Sequence, residues 1–331
     1  MTVSPPPRSS PRPNPKALVK ALRPKQWTKN VLIAAAPLFA FEISPLIALQ
    51  VAIAFAAFAA VSSGFYLIND LMDVAADRLH PIKRHRPIAA GQVPIPLAWG
   101  MAVVLLAGGV AVGFAQAVPL GITLVAYGLL QVAYNYRLKR TIVLDVMCIA
   151  AGFVLRAVAG GCATGVTLSP WFLLCISMLS LFFAIEKRKA ELRWALMLEF
   201  GEGQRQGQPI QTRSVLLRYS MDLLSRMEGI VSSSAIVFYS LWSAGPQLQG
   251  APTKWMLITV PFVLYGVFRY QLVSDPKEAL RRREMGGKGA IATSERPEEM
   301  LLSDWAMLLT AAGWVVSTAA VLCLHRWGLV T

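Results

Sequence analysis

Residues 46–86 read LIALQVAIAFAAFAAVSSGFYLINDLMDVAADRLHPIKRHR. The first 23 of them, 46–68, carry no charge, and the following stretch brings Asp70, Asp73 and Asp77 and then Arg78, Lys83, Arg84 and Arg86. A bilayer hydrocarbon core about 30 Å thick asks a helix for about 20 apolar residues. The segment therefore predicts a membrane-crossing helix whose end is loaded with charge.

Outward from it, eight more apolar segments fall at about 27–44, 95–114, 117–135, 142–162, 169–186, 227–244, 253–273 and 305–328, which with 46–70 makes nine predicted spans. The whole chain has 331 residues, 55% hydrophobic and 15% charged, with a mean hydropathy of +0.52. Soluble domains carry about 25% charged residues, so a water-facing globule is excluded and an all-α, polytopic membrane protein is expected. Residues 1–16 hold six prolines and no signal-peptide core, which predicts a disordered tail ahead of a single transmembrane domain, 17–331. Nine spans put the termini on opposite sides.

The net charge is +14, from 32 basic and 18 acidic residues. With a cytoplasmic N-terminus, 28 of the 32 fall in residues 1–30, 71–94, 136–141, 187–226 and 274–304, all on one side. Lys and Arg collect on the cytoplasmic face of membrane proteins, so the site-bearing loops are expected at the cytoplasmic face of the plasma membrane. Spread over five short loops without interleaved aromatics, these cations do not read as a nucleic-acid surface. Cys148, Cys162, Cys175 and Cys323 show no CxxC pairing and read as small apolar side chains.

Orientation does not explain the acids. On one continuous helix, Asp73 lies 60° and Asp77 20° from Asp70, so three carboxylates would share a face. Oxygen donors without His or Cys suit Mg²⁺, which takes one or two carboxylates and completes its shell with water and substrate phosphates. Asn69, Asp70, Asp73 and Asp77 are the candidate metal-binding and catalytic set, and Arg78, Lys83, Arg84 and Arg86 the candidate diphosphate-binding set. A solvated helix end with surface ion pairs is the plainer alternative, against which the NDxxDxxxD spacing stands. Arg156, eleven residues beyond Asp145 and near the same face, is expected to meet an anionic substrate group or a neighbouring helix.

The string from Asn69 through Asp77-Arg78 to the HPIKRHRPIAAG of 80–91 resembles the first aspartate-rich motif of the UbiA superfamily of intramembrane transferases. The resemblance implies a nine-helix bundle with a cytoplasm-facing cavity for Mg²⁺-diphosphate and a long lipid. Where most of that superfamily carries DxxxD, this chain departs from it and reads Glu186-Lys187-Arg188-Lys189-Ala190-Glu191. That string, the RPKQWTKN of 23–30 with Lys29, the 136–157 region with Tyr136 to Arg140, and Pro297-Glu298-Glu299 with Asp304 resemble the branch that acts on decaprenyl phosphate.

The branch implies a phosphoribosyl diphosphate donor and a polyprenyl phosphate acceptor. Three phosphate groups then meet three basic groups: Arg78/Lys83/Arg84/Arg86, Lys139/Arg140 and Lys187/Arg188, with Glu191 and Tyr134 as further candidate substrate-binding residues. Two alternatives stand beside this reading: prenyl transfer to an aromatic acceptor, against which the missing DxxxD counts, and a transporter, for which charge gathered at one face is unusual.

Overall fold

The computed structural model describes residues 14–79, 83–200, 216–275, 278, 281 and 304–329. Among them every regular element is helical, as the apolar periodicity demands. Residues 1–13 of the expected tail, His80 and the Pro297–Glu299 string lie outside the described residues.

Eleven α-helices are described: α1 Pro15–Ala21, α2 Ala35–Ala40, α3 Pro45–Met72, α4 Val74–Leu79, α5 Ile95–Gln116, α6 Val118–Tyr136, α7 Leu144–Thr164, α8 Pro170–Phe200, α9 Met221–Ser243, α10 Val260–Ser274 and α11 Trp305–Arg326. Their starts follow from local chemistry. Asn14 caps α1 through Lys16 N–H, Ser44 caps α3 through Ile47 N–H, and both helices open on a proline that needs no N–H there. Asp304 caps α11 through Met307 N–H at 3.0 Å and also takes a two-pronged bond from Arg269, so this intramembrane arginine has a structural partner.

Seven helical segments among the described residues are long and apolar enough to cross a membrane, and the chain is a polytopic all-α protein. The expected spans at 27–44 and 227–244 are not among the seven. The first is a 3-10 segment, Pro24–Ala34, followed by the six residues of α2. The second is α9, whose Asp222, Arg226, Glu228 and Ser232 to Ser234 lower its apolarity.

The chain divides into two compact units, one of residues 1–38, 42–135 and 158–166, the other of 39–41, 136–157 and 167–331. In the first unit, α3 and α5 touch through small residues. A methyl group at Gly109 would lie 2.9 Å from Ala57 C=O, and one at Gly64 would meet Leu106. Small residues allow this close approach where lipid supplies no hydrophobic drive between helices. In the second unit, Phe182, Ile185, Leu192, Leu216, Tyr219, Leu224, Tyr270 and Val273 form the core that joins α8, α9 and α10.

Candidate functional site

Among the described residues, ion-paired side chains gather in each of the two units. In the first unit, α3 ends at Met72 with Asp73 as its C-cap, and α4 restarts at Val74. The single continuous helical face expected for Asp70, Asp73 and Asp77 is thus interrupted at Asp73. Asp70 and Asp77 are buried, whereas Asp73 is exposed and Asn69 half-buried.

Arginines, not other acids, hold the two buried carboxylates. Arg86 Nη1 donates to Asp70 Oδ1 at 3.1 Å and to Asp77 Oδ2 at 2.6 Å. Arg23 also donates to Asp70 Oδ1, with its guanidinium 5.0 Å from the Tyr66 ring centroid. Both arginines are delivered by local folding. Ala17 and Ala21 seat α1 beside Leu67 and Leu71, and Arg23, at φ +54°, turns the chain into the 3-10 segment.

That segment is pinned by Trp27 Nε1 to Ser63 Oγ, which in turn donates to Leu22 C=O. The basic loop is anchored by Ile88 and Val93 in the same core and turns at Gly91, whose φ of +72° suits glycine. Arg78 Nε donates to Ala89 C=O at 3.3 Å and so braces this loop, while Lys83 and Arg84 stay exposed. Lys29 and Tyr134 are half-buried elsewhere in this unit.

In the second unit, Asp145 is the hub. Arg188 Nε donates to its Oδ2 at 2.8 Å and Tyr219 Oη to its Oδ1 at 2.7 Å. Arg188 Nη1 also reaches Glu191, so an arginine expected to face substrate is committed to two carboxylates. Lys187 and Lys139 are half-buried and Arg140 is exposed. Lys189, buried, bridges Glu186 at 2.9 Å and Glu228 of α9. Arg156 folds back on its own helix, its Nη1 donating to Gly152 C=O at 2.6 Å and its guanidinium over Phe153.

Burial, and the bond to Asp145, push the Tyr219 hydroxyl up to about 12, so it remains a donor at neutral pH. An apolar cavity of about 230 Å³ lies in the same unit, walled by Phe39, Phe172, Cys175, Tyr239, Trp242 and Trp314.

Sequence reading missed Arg23, Tyr219 and Glu228. Arg23 stood inside a quoted motif, but nothing in its spacing linked it to Asp70, and Tyr219 lies in no motif at all.

Oxygen donors of this kind fit Mg²⁺. The ion pairs occupy Oδ1 of Asp70 and Oδ2 of Asp77, one oxygen of each carboxylate, and no His or Cys joins them. Among the described residues no group of three or more His, Cys, Asp or Glu is gathered as a ready metal cage.

Comparison with known proteins gives the lineage. A family model described as UbiA prenyltransferase family matches residues 31–290. The decaprenyl-phosphate phosphoribosyltransferase of Corynebacterium glutamicum is 38% identical, covering 93% of this chain and 87% of the relative. That of Mycolicibacterium smegmatis is 34% identical, covering 92% of each. A solved UbiA homolog from Archaeoglobus fulgidus, bound to GPP and Mg²⁺, superposes with a TM-score of 0.62 at 16% identity, covering 92% of this chain and 99% of that one. With a family match over most of its length and relatives this similar end to end, the chain belongs to the UbiA prenyltransferase family.

Proposed function

We propose that this protein transfers the 5-phosphoribosyl group of phosphoribosyl diphosphate to a polyprenyl phosphate such as decaprenyl phosphate, releasing diphosphate, in the service of cell-envelope glycan synthesis. The observation that carries this is identity of 34–38% over more than nine tenths of the chain to proteins bearing that activity in their names. The charge asymmetry of the loops supports a plasma-membrane location with the N-terminus and the active site at the cytoplasmic face.

Asn69, Asp70, Asp73 and Asp77 are the residues that would hold Mg²⁺. When bound, the ion neutralises diphosphate charge and makes that group a better leaving group. Arg86 already sits between Asp70 and Asp77, and with Lys83 and Arg84 supplies donors for the diphosphate oxygens. Arg78 holds the loop that carries them. Lys139, Arg140 and Lys187 take the remaining phosphate groups, and Arg188 orients the carboxylate of Glu191. Arg156, bonded to Gly152 C=O of its own helix, would serve as an additional cation for an anionic group.

The bond from ribose C1 to the diphosphate oxygen breaks as an oxygen of the acceptor phosphate bonds to C1. Positive charge develops on the sugar, as in other oxocarbenium-like substitutions. The acceptor monoester, with a second pKa near 6, is ionised at pH 7. No residue need remove a proton, in keeping with the absence of any His or Ser dyad among the residues assigned here. The apolar cavity suits isoprenoid carbon, because a purely apolar void of this size stays dry until an apolar group fills it.

Membranes carrying the protein, given labelled phosphoribosyl diphosphate, decaprenyl phosphate and Mg²⁺, are expected to yield a ribosylated lipid that EDTA abolishes. Product formation undiminished after EDTA would overturn the metal assignment.

A further inference from the structure

The link between the basic turn Leu138–Arg140 and α7 is strained. Leu144 N–H bonds Ile142 C=O at 2.9 Å and closes a three-residue turn around Val143, whose φ is +69°. Turns of this hand are rare, and a β-branched side chain at positive φ is an outlier that its surroundings must enforce.

A chain of hydrogen bonds enforces it. Val143 N–H donates to Tyr219 Oη at 2.7 Å, and that hydroxyl donates in turn to Asp145 Oδ1 at 2.7 Å. Asp145 is fully buried and fixed from its other side by Arg188. Tyr219 comes from 76 residues away in sequence and meets the turn through its hydroxyl. Its ring packs in the core with Phe182, Leu216 and Leu224, which a phenylalanine would preserve.

We infer that Tyr219 is a positioning residue: by clamping Val143 in its left-handed turn, it fixes Lys139 and Arg140 relative to α7 as a site for a phosphate group of one of the two substrates. Two adjacent cations on a short turn hold a phosphate more tightly when that turn is already rigid, since its backbone then loses no conformational entropy on binding. The inference rests on the proposed phosphoribosyl transfer and deepens it.

The test uses the full chain in membranes. Tyr219→Phe removes one oxygen and should raise KM about three- to tenfold, the worth of one hydrogen bond, for either phosphoribosyl diphosphate or polyprenyl phosphate. The two KM values tell which substrate's phosphate is held, and kcat should stay within about twofold. Val143→Pro, which forbids positive φ and deletes the N–H while sparing the Tyr219–Asp145 bond, should do the same. It stands in should Tyr219→Phe fail to fold. Val143→Gly, free to adopt the turn, should leave both KM values near wild type.

Unchanged KM values in both Tyr219→Phe and Val143→Pro, or a fall in kcat alone, would overturn the inference. A second readout is independent of the reaction: limited trypsin digestion should cleave after Lys139 or Arg140 faster in Tyr219→Phe than in wild type. Equal cleavage would contradict the clamp even if no ribosylated lipid were ever made, whereas faster cleavage without any such product would fault the transferase reading alone.

Discussion

Arg188 and Asp145 form an ion pair with Nε and Oδ2 2.8 Å apart and side chains only 1% and 0% exposed. In sequence Arg188 belonged to the expected substrate-binding cations and Asp145 only to the separate 136–157 stretch, yet folding turns each toward the other. A buried pair of this kind adds little over an apolar replacement, but breaking it strands a charge.

Arg188→Met should therefore lower stability by about 3–5 kcal/mol as well as abolish turnover, because Asp145 is left buried with only Tyr219 as donor. Thermal unfolding in detergent checks this. Adding Asp145→Asn should restore much of the melting temperature without restoring activity, and full activity in the single variant would return Arg188 to the role of a bystander.

The carboxylates of the first unit should separate by burial. Asp73→Asn, at an exposed cap without ion pairs among those described, should remove most turnover while leaving the melting temperature within about a degree, as surface changes of small size do. Asp70→Asn takes the acceptor from Arg23 and Arg86 and should cost both stability and activity. Turnover and melting measured on the same preparations distinguish the two, and an active Asp73→Asn protein would remove that residue from the metal set.

Lys189 with Glu186 and Glu228 is a second buried cluster, one cation against two acids. Lys189→Met leaves two carboxylates face to face in the core and should destabilise by about 3–5 kcal/mol. The triple variant with Glu186→Gln and Glu228→Gln should recover most of that loss. Equal melting of single and triple variants would mean the lysine is not the counterion.

Tyr219 gives the alkaline limb of stability. Its hydroxyl ionises near 10 in the unfolded chain and at about 12 when folded, so the native state holds the proton more tightly. The stabilisation is complete below pH 10 and is lost as pH rises through about 12. The stability difference between wild type and Tyr219→Phe, followed by denaturation from pH 7 to 11.5, should stay flat to about pH 10 and shrink above it. A difference that grows with pH would contradict the bond to Asp145.

Much of the fold was legible because uncharged runs such as 46–68 and 95–114 leave a chain few options in lipid. The expected spans at 27–44 and 227–244 are not among the seven long apolar helices of the described residues, although α9 covers nearly all of the second as a helix. The first is divided between a 3-10 segment and the six-residue α2, and Gly160, where a methyl group would lie 1.9 Å from Ile33 C=O, lets that segment's backbone approach α7 too closely for any periodicity to reveal. The NDxxDxxxD string pointed to the right end of α3, but angular arithmetic assumed an unbroken helix through Asp73. Partners distant in sequence were the main blind spot. Arg23 meets Asp70 across 47 residues and Tyr219 meets Asp145 across 74, and spacing rules reach only a few turns.

The most direct measurement is the mass of the lipid product formed by purified protein offered phosphoribosyl diphosphate, decaprenyl phosphate, a prenyl diphosphate and an aromatic acid together with Mg²⁺. Decaprenyl phosphate enlarged by one phosphoribosyl group, with one diphosphate released per turnover, is the expected product. A prenylated aromatic product, with the sugar donor untouched, would contradict it.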